Sequence, residues 1–109
     1  MKILFVCMRN LARGPMAAAI FRELAGDGGQ HLVRSAGIAP EAARRLTTRE
    51  LAWADVVTVM EPGHLALIQR HWPDHASKAR VLDVPDEYYP GEPELREVLT
   101  AKIRALLVP

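Results

Sequence analysis

The run KILFV, residues 2–6, is apolar at every position after its first. It does not alternate, so as a strand it would be covered on both faces, which places it inside a parallel sheet with helices above and below. The remaining chain supplies the partners. Pro15 suits the first turn of a helix, where its missing N–H is no loss. Met16, Ala17, Ile20, Phe21 and Leu24 then recur at helical spacing to about Ala25, before the stop GDGG at 26–29. HLVRSAGIA (31–39) reads as a weaker second strand. Thr47 or Thr48 can cap a helix through Trp53, with Glu50 as the third residue after Thr47. DVVTVM (55–60) is a third strand, HLALIQRHW (64–72) a helix closed by Pro73, and ARVLDV (79–84) a fourth strand. PDEYYPGEP (85–93) is a loop, and ELREVLTAKIRALL (94–107) is a closing amphipathic helix. Strands alternating with helices predict one three-layer α/β domain over 1–109, a four-stranded parallel sheet with helices on both faces.

In such sheets ligands sit beyond the carboxyl ends of the strands. Cys7, the Met60–Glu61 pair and Asp86 all fall there. The bulk numbers narrow the class of ligand. A net charge of +1 gives no excess pointing to nucleic acid or to a membrane surface, and no apolar run approaches a membrane span. Met1 leads straight into the first strand, so no signal peptide is expected. One cysteine forms no internal disulfide, and four widely spaced histidines (His31, His64, His71, His75) show no metal pattern and read as surface residues. A cytoplasmic domain without metal or cofactor is the expectation.

The stretch VCMRNLARGPM, 6–16, carries the chemistry. A short loop between a buried strand and a helix N-terminus turns successive backbone N–H groups inward, and the helix dipole adds positive potential. The resulting cradle, Met8, Arg9, Asn10, Leu11, Ala12 and Gly14 around Cys7 and Arg13, suits an anion such as phosphate or sulfate. The same field stabilises a thiolate on Cys7. Arg13 offers the paired donors that match phosphate oxygens. A thiolate inside a phosphate cradle is placed for in-line attack on phosphorus, giving a cysteinyl-phosphate. That step needs an acid for the leaving oxygen. Asp83, Asp86, Glu61 and Glu87 lie at strand ends; Asp86 is best placed, and Asp83 reads as a structural residue inside the strand run.

ILFVCMRNLARGPMAAAIFREL resembles the start of the low-molecular-weight protein tyrosine phosphatases, with their C-x5-R loop followed by S-P-M/T-A. RSAGIAP, LAWADVVTVMEPGHL and VPDEYYPGEPELREVL are similar, in order, to that family's second strand, third strand with its helix, and acid loop. The resemblance implies Cys7 as nucleophile, Arg13 as the phosphate-binding and transition-state group, and Asp86 as general acid and then general base. It implies Asn10 as the residue that shapes the loop, and Tyr88 and Tyr89 as the substrate entrance. It also implies work without metal or cofactor on a phosphorylated protein or small aryl phosphate.

Departures from the family pattern bear on rate. Gly14 stands where the family has a serine or threonine whose hydroxyl stabilises the thiolate, so Gly14→Ser is expected to raise turnover. Ala12 replaces a frequent second cysteine, Arg9 a customary glycine and Glu87 a proline. The connection from Ile38 to Leu46 is much shorter than usual. Two alternatives follow: a catalytically weak phosphate- or phosphoprotein-binding domain of the same fold, and a phosphoarginine phosphatase. Leu11 occupies the position two before Arg13, which is typically threonine in the phosphoarginine branch, and its apolar contact favours a phosphotyrosine ring. Arsenate reductase chemistry needs further cysteines, which are absent.

Overall fold

The computed structural model describes residues 1–26 and 30–107. Four strands, β1 (Lys2–Cys7), β2 (Leu32–Gly37), β3 (Val56–Val59) and β4 (Ala79–Val81), form a parallel sheet in the order β2-β1-β3-β4. The helices are α1 (Arg13–Ala25), α2 (Thr48–Trp53), α3 (Pro62–His71) and α4 (Pro93–Leu107), and a 3-10 turn spans Pro73–Lys78.

The continuous apolar run of β1 divides between two cores. Ile3, Phe5 and Cys7 pack with Ala17, Ile20 and Phe21 of α1 and with Leu95, Leu99 and Ile103 of α4. Leu4 and Val6 pack on the opposite face with Leu51 of α2, Ile68 of α3, and Val57 and Val59 of β3. Successive side chains of a strand point to opposite faces, so a centrally placed strand needs apolar residues at both parities. Each core removes its side chains from water at about 25 cal/mol per Å² of apolar surface.

Helix α1 begins at Arg13, which seats Pro15 in its first turn as the sequence suggests. Its N-cap Ala12 offers no side-chain acceptor, so first-turn donors are left facing the loop. Helix α3 begins at Pro62 rather than His64, with the proline at its first position. Strand β4 ends at Val81, not at residue 84. Asp83 adopts φ 64°, and this left-handed residue, a conformation aspartate accepts more readily than most, breaks the ladder. The N–H groups of Leu82 and Val84 still reach the carbonyls of Val59 and Met60, both at 2.7 Å. The bend thus keeps the chain against β3 while delivering the loop that bears Asp86. The stop read at 26–29 is described only at Gly26, whose φ of 76° closes α1; the rest of it lies outside the described residues.

Candidate active site

Residues 7–13 pass from the end of β1 to the start of α1, and their backbone direction is set from behind. The N–H groups of Ile38, Ala39 and Ala43 donate to the carbonyls of Cys7, Met8 and Arg9 at 3.0, 2.8 and 3.2 Å. With those carbonyls held against the short 38–46 segment, the loop's N–H groups are left for its inner side. A Cβ on Gly37 would stand 2.5 Å from Ala42 Cβ, 2.9 Å from Arg9 C and 3.0 Å from Asn10 N, so glycine is required for the loop to lie this close to β2. Asn10 takes φ 57°, and its backbone N–H donates to Cys7 Sγ at 3.1 Å. The loop therefore curls around the sulfur.

A cleft of about 140 Å³ opens above it, lined by Cys7, Arg9, Leu11, Ala12, Arg13, Asp86, Tyr88 and Pro90. Cys7 is 2 % exposed at its floor and Leu11 56 % exposed at its rim. Met8, Asn10 and Gly14 stand behind the lining. Arg9 projects outward and lies 4.0 Å from Glu41. Tyr88 is half-buried along one wall. Desolvation, then the carboxylates of Glu87, Glu94 and Glu92, push its hydroxyl above the ordinary phenol range, so it stays neutral beside an anion. Tyr89, expected at the same entrance, is 78 % exposed and lies outside the cleft. Its backbone N–H is tied to Glu92 at 2.8 Å, and the ring is left in solvent.

Arg13 is buried, and its Nη1 donates to Glu61 Oε2 at 2.7 Å and to the Val84 carbonyl at 2.8 Å. Its Nη2 faces Asp86 Oδ1 at 3.7 Å. One edge of the guanidinium is thus occupied by structure and the other is turned to the cleft and its acid. Glu61 is the N-cap residue of α3, and its side chain makes no cap bond; its carboxylate serves Arg13 and lies 3.3 Å from His64 Nε2. His64 is buried, a correction to its reading as a surface residue. Burial pushes it below the ordinary imidazole range, against the pull of Glu61, with Arg13 adding to the depression and Asp86 opposing it. The roles of Glu61 and His64 escaped sequence reasoning. The available signal was their spacing around Pro62, which seats Glu61 at the N-cap and His64 on the first turn of a helix at the carboxyl end of β3.

Gly14 is not a neutral vacancy. A Cβ there would stand 2.9 Å from Asn10 Oδ1 and 3.1 Å from Cys7 Sγ. A serine at this position enters only if the Asn10 side chain moves, which qualifies the expectation that Gly14→Ser alone raises turnover.

The fold is a three-layer α/β domain, and its cleft gathers a thiol, an arginine and a carboxyl around the loop that joins β1 to α1. The family model for low molecular weight phosphotyrosine protein phosphatase matches residues 2–50. The low molecular weight protein-tyrosine-phosphatase YfkJ of Bacillus subtilis is 26 % identical over 127 aligned positions, covering 82 % of this chain and 81 % of the relative. Its crystal structure superposes with a TM-score of 0.85 over 98 % of this chain and 92 % of that one, at 26 % identity. The arginine phosphatase YwlE from Geobacillus stearothermophilus superposes with a TM-score of 0.81 at 27 % identity, over 96 % and 89 % of the two chains. The chain is thus similar, in sequence over its first half and in fold over nearly its whole length, to the low-molecular-weight phosphotyrosine protein phosphatases, and this likeness supports a phosphatase.

Proposed function

We propose that the chain hydrolyses aryl phosphomonoesters of the protein phosphotyrosine type through a cysteinyl-phosphate on Cys7. The carrying observation is the convergence of Cys7, Arg13 and Asp86 on one small cleft. Phosphate oxygens take the inward N–H groups of the loop and the free edge of Arg13, which aligns phosphorus over Sγ. The thiolate attacks in line, the S–P bond forms as the ester P–O bond breaks, and Asp86 gives its proton to the leaving oxygen. The Asp86 carboxylate then takes a proton from water as that water attacks phosphorus, releasing phosphate and the thiolate. A YwlE mutant with serine in place of cysteine, which carries a phosphorylated active-site serine, superposes on this chain with a TM-score of 0.78 at 26 % identity over 98 % of this chain and 96 % of that one. It supports an intermediate on the residue at the loop's start.

The apolar rim residue Leu11 and the wall residue Tyr88 favour a flat aromatic leaving group. Phosphoarginine is the second reading, favoured by a likeness to an arginine phosphatase at an identity, 27 %, similar to the 26 % shared with YfkJ. Hydrolysis of p-nitrophenyl phosphate, a phosphotyrosine peptide and a phosphoarginine peptide by wild type, Cys7→Ser and Asp86→Asn tests the proposal. Aryl phosphate turnover lost in Cys7→Ser and slowed in Asp86→Asn supports it. A wild type that binds phosphate but hydrolyses none of the three substrates overturns it in favour of a phosphate-binding domain.

A further inference from the structure

The thiolate of Cys7 needs hydrogen bonds when it forms and again when it leaves phosphorus, and Gly14 offers no side chain to supply one. Its backbone partner is the Asn10 N–H at 3.1 Å. The space where a residue-14 side chain would begin is bounded by two groups, Cys7 Sγ and the end of the Asn10 side chain, 3.1 and 2.9 Å from the position of the missing Cβ. Asn10 is 8 % exposed, and its Oδ1 is buried without a hydrogen-bond partner among the described residues. A buried carboxamide oxygen left unpaired is costly, so an arrangement that pairs this end of the side chain is favoured. A half-turn about the Cβ–Cγ bond exchanges oxygen for NH2 within nearly the same volume.

We infer that the Asn10 carboxamide is the side-chain donor to the Cys7 thiolate in this chain, occupying through the absence of a Cβ at Gly14 the space a hydroxyl-bearing side chain would fill. When Cys7 ionises, the carboxamide presents Nδ2 to Sγ, and the proton on Nδ2 stays there while its hydrogen bond carries part of the thiolate charge. Asn10 and Gly14 form one unit: glycine admits the carboxamide, and the carboxamide does the work of the missing hydroxyl. The inference deepens the phosphatase reading and rests on it for its catalytic meaning. Its test reads the thiolate itself.

The rate of Cys7 alkylation by iodoacetamide is followed against pH in the full chain, with thermal melting and vanadate binding as checks of folding. Asn10→Gly keeps the left-handed backbone and its N–H but removes the carboxamide. Asn10→Asp keeps the shape and, once ionised, lacks the donor. Both are expected to move the alkylation midpoint upward by about one to two pH units, the equivalent of one charge-assisted hydrogen bond. Gly14→Ser in the wild-type background is expected to bring no downward shift, because its Cβ meets Asn10. In the Asn10→Gly background the same substitution has room and is expected to return the midpoint toward wild type. A midpoint unchanged in whichever of Asn10→Gly and Asn10→Asp folds overturns the inference, as does a Gly14→Ser effect of the same sign in both backgrounds. Failure of the phosphatase reading would appear separately, as absent hydrolysis in the wild type.

Discussion

Arg13 and Glu61 meet at 2.7 Å across the carboxyl ends of β1 and β3, forty-eight residues apart in the chain. The pair decides how the arginine can serve an anion. With Nη1 held by Glu61 and by the Val84 carbonyl, the guanidinium is fixed in rotation and only its other edge reaches the cleft. Glu61→Ala is expected to lower aryl phosphate hydrolysis by about ten- to a hundredfold, the loss of one charge-assisted hydrogen bond. Glu61→Gln keeps an acceptor for Arg13 and is expected to lose less. Steady-state kinetics of the two variants check this; equal losses would show that charge, not orientation, is what Glu61 supplies.

Arg13→Lys is expected to weaken phosphate and vanadate binding by at least about tenfold, because a lysine ammonium cannot hold Glu61 and Val84 on one edge while presenting a donor on the other. Isothermal titration of the folded variant reads the effect. Affinity equal to wild type would remove Arg13 from the anion site.

Gly37→Ala places a methyl 2.5 Å from Ala42 Cβ and 2.9 Å from the Arg9 backbone. Neither neighbour is a flexible side-chain end, so the 7–13 loop or the 38–46 segment must give way. Overpacking of this kind costs about 1–3 kcal/mol. The variant is expected to melt lower and to lose anion affinity at the same time, as calorimetry with and without phosphate would show.

Tyr88→Ala is expected to raise KM for aryl phosphates several-fold, in line with about 0.5–1.5 kcal/mol for an aromatic contact. Tyr89→Ala, at a ring left in solvent, is expected to change KM little. Identical effects of the two substitutions would contradict the wall assigned to Tyr88.

His64 gives the chain a pH dependence of known sign. It faces Glu61 and, more distantly, Arg13 and Asp86, and burial holds its titration below that of an exposed imidazole. The unfolded chain therefore takes up the proton first, near pH 6.5, and this contribution to stability is full above that pH and falls as pH drops. Denaturant midpoints are expected to decline on acidification more steeply in wild type than in His64→Gln. Parallel declines would show that the carboxylates alone set the slope.

The sheet was legible because its signals are local. A non-alternating apolar run reads as a strand covered on both faces, and the structure divides that run between two cores. Thr47 likewise caps α2 as read, its hydroxyl accepting from the Glu50 N–H at 3.3 Å. Pro15 likewise falls in the first turn of α1 as read, whereas α3 begins at Pro62, two residues before the expected start, because proline is admitted at a helix's first position.

The sequence by itself determined the order of elements and the placing of a thiol at a strand end, an arginine at the start of the next helix and an acid in the loop after the fourth strand. Each follows from chain periodicity and from residues within a few positions of one another. Tertiary structure alone decided what those groups meet. Glu61 reaches Arg13 because β1 and β3 are neighbours in the sheet, and of two adjacent tyrosines the folded loop turns Tyr88 into the cleft and leaves Tyr89 in solvent. The empty position at Gly14 acquires meaning only when the Asn10 carboxamide is seen to lie against it. These contacts depend on through-space distances of a few ångströms, set by how the loop folds and by which distant segments meet in the sheet, and no local pattern of residues encodes such a distance.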